Sequence, residues 1–82
     1  MDTNTITNTV TLIGYGLAPA VQAQDLQIGQ ITVWNYGFKY EVVELTPKAK
    51  TQIIAKIVNV DTGIEYTKTM SRTRLVAVKV TL

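Results

Sequence analysis

The chain has 82 residues, 46% of them hydrophobic and 17% charged, and a formal net charge of +2. A chain this short buries roughly 60–65% of its unfolded surface and supports a single core, while its apolar content excludes a wholly disordered polymer. With no cysteine and no histidine, it has no disulfide, no Ser-His-Asp or Cys-His triad and none of the usual zinc ligands, so no metal and no cofactor are expected.

The opening MDTNTITNT carries Asp2 but no lysine or arginine, unlike the basic start of a secretory leader. No apolar run approaches the ~20 residues of a membrane-spanning helix. A soluble cytoplasmic protein without a membrane partner is expected. In residues 1–13, Ile6, Val10 and Leu12 alternate with threonines, a weak strand pattern or a frayed end. Gly14, Gly16 and Pro19 interrupt any regular element, and AVQAQDL has room for one or two helical turns. Residues 1–25 therefore read as an N-terminal extension.

From Gln30 onward the pattern is β. The segments QITVW, FKYEVVELT, TQIIAKIVNV, IEYTKTM and RLVAVKV are rich in β-branched and aromatic residues, and NYG, PKAK, DTG and SRT separate them. Connectors this short join neighbouring antiparallel strands. Five such strands remove most of their exposed edges by curling into a small barrel, and the doublets Val42-Val43 and Ile53-Ile54 suit strands that bulge or bend. The expected fold is all-β, a five-stranded barrel over residues 26–82. An unpaired edge would be covered by the threonine-rich first segment, within a monomer or across a homodimer.

The order of LxxG, strand, aromatic-glycine turn, two long strands, DTG hairpin, strand, polar turn and final RLVAV strand resembles an SH3-like small barrel of the KOW and Tudor type. The resemblance spans roughly residues 26–80. It implies that SRTR makes a single 3₁₀ turn and that the loop after the first barrel strand takes part in recognition. DLQIGQITVWNYGFKYEVVEL and GIEYTKTMSRTRLVAV also resemble segments of short bacterial and phage proteins, which implies a phage or bacterial setting.

No GxxxxGK[ST] loop occurs, and the lone GYG at 14–16 lacks the third glycine of a dinucleotide fingerprint. Asp61-Thr62-Gly63 resembles the active-site triplet of retroviral-type aspartic proteases, in which paired carboxylates share a proton. It falls where two strands need a tight turn, and Ile64 replaces the small residue that normally follows the triplet. Glu41 and Glu44 face opposite sides of a regular strand unless a bulge at Val42-Val43 resets the alternation. A non-enzymatic binding module is the expected class.

The charges are unevenly placed. Through Leu45, four carboxylates stand against Lys39 alone, whereas seven lysines and arginines stand against Asp61 and Glu65 in the remainder. Such asymmetry favours an acidic partner, although lysines also simply keep strand edges soluble. WNYGFKY holds four of the six aromatic residues in seven positions. Phe38, alone or with Tyr40, is expected in the core, leaving Trp34 and Tyr36 at the loop; alternatively all four anchor the hairpin. Trp34 and Tyr36 with Lys50, Lys56, Lys68, Arg72 and Arg74 are the candidate binding residues, with Arg72 and Arg74 converging beside Lys68. Two partners fit: nucleic acid, with bases stacked on the aromatics and phosphates met by the cations, or a host protein.

Overall fold

A computed structural model describes residues 8–80. It contains seven strands, β1 (Asn8–Leu12), β2 (Gly16–Gln22), β3 (Ile31–Val33), β4 (Lys39–Ala49), β5 (Gln52–Asn59), β6 (Glu65–Ser71) and β7 (Leu75–Ala77), and two 3₁₀ turns at Ala23–Asp25 and Asn35–Gly37. All pairings are antiparallel, in two sheets ordered β1-β2-β7 and β3-β4-β5-β6. An isolated Thr32–Val78 bridge joins the sheets. The expectation of an all-β fold holds, with two corrections: the described residues form seven strands, and these do not close into a barrel. Among the described residues β1 pairs only with β2, and β6 only with β5.

The segment before β3 packs together with the strands that follow it. Ala20, Val21 and Gln22 pair with Ala77, Val76 and Leu75, and Ala23 and Leu26 belong to the main core with Val42, Ile53, Ala55, Ile57, Met70, Val76 and Val78. A smaller cluster joins Ala18, Val33 and Ala77. Because β3 and β7 lie between these clusters, neighbouring residues on them, Thr32 with Val33 and Val76 with Ala77, are all buried. Pro19, which cannot donate to a ladder, lies inside β2 just beyond the residues paired with β7, and its carbonyl accepts from the Val78 N–H at 2.9 Å. The helical turns expected over AVQAQDL reduce to the three-residue 3₁₀ turn.

On β5, Ile53, Ala55, Ile57 and Asn59 are buried while the residues between them are partly exposed, so Ile53-Ile54 follows ordinary alternation; the slip opposite Ile53 and Gln52 lies on β4, between Pro47 and Ala49. The register does slip between Val42 and Glu44, at the other doublet. That slip places Glu41 opposite Val58 and Glu44 opposite Lys56. Both glutamates therefore share the outer face of the four-stranded sheet, since Val58 and Lys56 have the same parity on β5. Glu65, also opposite Val58, joins them there.

Candidate aromatic and cationic cleft

Trp34 leaves β3 into the turn Asn35–Gly37, where its N–H donates to the Phe38 carbonyl at 2.8 Å and its carbonyl accepts from the Gly37 N–H at 3.0 Å. The indole packs, partly buried, against the main core. Its Nε1–H donates to Thr32 Oγ1 at 2.8 Å, and that fully buried hydroxyl donates to the Tyr40 carbonyl at 2.9 Å. With its polar atom satisfied inside the protein, the indole offers a partner only its π surface.

Two cations approach that surface. Lys68 Nζ lies 5.0 Å and Arg74 Cζ 5.7 Å from the ring centroid, both within cation–π range. Their convergence follows from the topology. Lys68 stands opposite the buried Ala55, and therefore on the inner face of β6, while Arg74 immediately precedes β7, which returns beside β3. Beside the indole opens a cleft of about 260 Å³ lined by Trp34, Tyr40, Ile57, Tyr66, Thr67 and Lys68. The Tyr40 and Tyr66 rings meet edge to face, with centroids 5.5 Å apart at 78°. The one ion pair among the described residues, Lys56 Nζ to Glu44 Oε1 at 3.3 Å, lies on the opposite face of the sheet.

No protein-family model, curated protein or solved structure matches this chain.

Of the seven residues singled out from the sequence, Trp34, Lys68 and Arg74 come together. Arg72 turns away: its Nε and Nη2 donate to the Ala49 carbonyl at 3.3 and 3.1 Å, and its backbone N–H donates to the Thr51 carbonyl. It fastens the β6–β7 turn to the β4–β5 turn. Lys56 is held on the outer face by Glu44, and Lys50 is exposed in the β4–β5 turn, outside the cleft lining. Tyr36 is 66% exposed but lies against the β1–β2 turn. Phe38, expected in the core, is 54% exposed; Tyr40, its expected companion there, does pack against the core, and so does Trp34, which was expected at the loop. The reason is local. Tyr36 has φ +65°, which breaks the alternation that would have carried Phe38 inward.

Tyr40, Tyr66, Ile57 and Thr67 were not among the predicted site residues. Tyr66 was within reach, because in EYTKTM it shares parity with Lys68 and Met70. Asp61-Thr62-Gly63 is a hairpin turn: Asn59 Oδ1 accepts from the Asp61 and Thr62 N–H groups at 2.8 and 3.0 Å, and the Asn59 carbonyl accepts from the Gly63 N–H at 2.8 Å. Among the described residues no group of three or more His, Cys, Asp or Glu side chains is placed to hold a metal ion, and no helix is long and apolar enough to cross a membrane.

Proposed function

We propose that this chain is a binding module for nucleic acid, with the cleft beside Trp34 as its contact site. The observation that carries the reading is the placement of Lys68 and Arg74 over one indole that itself lines an aromatic-walled cleft. Neither cation has a carboxylate partner among the described residues, and Glu41, Glu44 and Glu65 lie on the far face of the sheet. An anionic ligand therefore meets positive charge and apolar surface together.

Magnitudes favour the exchange. Each cation–π contact is worth about 0.5–1 kcal/mol at an exposed site, whereas a base stacked on an aromatic ring is worth about 1–3 kcal/mol. A base displacing the cations from the indole also frees them to meet the phosphates that flank it. The SH3-like reading is supported by the meander β3-β4-β5-β6 and by the Thr32–Val78 bridge, which brings the segment after β7 beside β3.

The test is fluorescence polarisation of a labelled oligonucleotide as salt is raised. Two phosphate contacts give a log–log slope of about −1.4 on a single strand. Absence of binding at low salt rejects the reading. A second reading, a protein-interaction module such as a phage or mobile-element product that occupies a host protein, draws on the exposed Ile13, Tyr15, Leu17, Tyr36 and Phe38 as a protein-binding surface. It requires a stoichiometric partner that survives nuclease treatment.

A further inference from the structure

Resting on the nucleic-acid reading, we infer that the cleft takes one unstacked base of a single strand, with the open edge of β6 at Thr67 supplying backbone hydrogen bonds to the edge of that base. Three features lead there. The indole is recessed: it is half-buried and fixed through Thr32, and Tyr66 and Lys68 on β6 line the same cleft. A duplex is read by an element that protrudes into a groove, whereas a stacking surface inside a concave cleft is reached only by a base that has left its stack. The volume of about 260 Å³ suits one base.

The role of Thr67 follows from parity. It stands opposite Lys56, on the outer face, so its presence in the cleft wall is that of strand backbone between Tyr66 and Lys68. Because β6 has no second neighbour among the described residues, the peptide groups along that edge have no strand to pair with. A base lying on Trp34 brings its own donors and acceptors to such an edge, and Lys68 and Arg74 serve the adjoining phosphates.

Trp34 is the sole tryptophan, so intrinsic fluorescence reports directly on the site. The full chain is titrated at low salt with an oligothymidylate, an abasic deoxyribose-phosphate oligomer and a duplex of equal length, with polarisation and Trp34 emission read together and amide shifts followed by NMR. The expected result is quenching of Trp34 by the oligothymidylate, affinity for the duplex lower by roughly tenfold or more because unstacking must be supplied, and amide shifts at Tyr66–Lys68 that the abasic oligomer does not produce. Equal affinity for single strand and duplex, or for base-bearing and abasic strands, overturns the inference while leaving electrostatic nucleic-acid binding in place. Quenching without movement of the Tyr66–Lys68 amides overturns the role of the β6 edge. No binding of any of the three overturns both the inference and the reading beneath it.

Discussion

Tyr36 lies with its ring against the backbone of Gly14, so closely that a β-carbon at position 14 would overlap the ring atoms. The contact is reciprocated one residue along each chain segment. A β-carbon on Gly37 would lie 3.1 Å from the Tyr15 ring, the Tyr36 N–H donates to the Ile13 carbonyl at 2.6 Å, and the Ile13 N–H donates to Asn35 Oδ1 at 2.9 Å. The two turns, GYG and NYG, thus interlock, and the positive φ of Tyr36 is the conformation that lets its N–H and ring address the other turn. Such backbone costs of order 1–3 kcal/mol and persists only where surrounding contacts enforce it.

Gly14→Ala is expected to destabilise the fold by about 2–4 kcal/mol in urea unfolding, from its left-handed backbone and the blocked ring together. Gly29→Ala is the control. Its φ is also positive but nothing lies within 4 Å of the added carbon, so only the backbone term of about 1–2 kcal/mol is expected. Equal losses at the two positions would mean that the interlock contributes nothing.

Thr32 is the hinge between core and cleft. Thr32→Val keeps the shape of the side chain but removes the acceptor of the Trp34 Nε1–H and the donor to the Tyr40 carbonyl. A loss of about 1–3 kcal/mol is expected for the stranded partners, with a shift in Trp34 emission. Thr32→Ser retains the oxygen and should preserve the emission, losing only the packing of one methyl group. Thermal unfolding followed by Trp34 fluorescence measures both.

How much of this was legible follows from where the determinants lie. β3 to β7 announce themselves through β-branched alternation and short turns, because each buries one face or both. The N-terminal hairpin does not: Asn8, Thr9 and Thr11 are exposed, and β2 is built from alanines around Pro19, residues of low strand preference. Ala18, Ala20 and Ala77 are nonetheless buried, their small size suiting close approach of chain segments. Parity and a tight turn point to Arg72 and Arg74 converging beside Lys68, and Arg74 does reach Trp34 with Lys68. Arg72 does not, because it donates to a backbone carbonyl 23 residues away, which leaves no mark on side-chain pattern. Phe38 was misplaced because a tyrosine with positive φ looks, in sequence, like any other tyrosine.

Asn59 holds the β5–β6 turn through its side chain, accepting from the Asp61 and Thr62 N–H groups. Asn59→Ala is expected to cost about 1–3 kcal/mol, since two turn donors lose their acceptor. Asn59→Asp supplies a carboxylate that accepts both bonds. Circular-dichroism melts should therefore rank wild type and Asn59→Asp above Asn59→Ala. If Asn59→Ala melts with the wild type, the turn is held by its backbone bonds alone.

The cations divide into two sets that a single experiment separates. Lys68 and Arg74 sit over Trp34, so Lys68→Gln and Arg74→Gln should each weaken oligonucleotide binding and flatten the log–log salt slope by about 0.7 for one lost phosphate contact. Arg72→Gln has the opposite profile. It releases the Ala49 carbonyl and should lower stability while leaving the salt slope unchanged. Lys56→Gln breaks an outer-face pair with Glu44 whose partners are 39% and 58% exposed; pairs of this kind contribute about 0.2–1 kcal/mol, so neither stability nor affinity should move appreciably. Polarisation titrations at several salt concentrations, beside urea unfolding of each variant, make the comparison. If Arg72→Gln or Lys56→Gln flattened the slope as much as Arg74→Gln, binding would depend on total charge and not on the cleft. If none of the four changed it, the cations would have no part in recognition, and the aromatic surface would have to be explained by a protein partner.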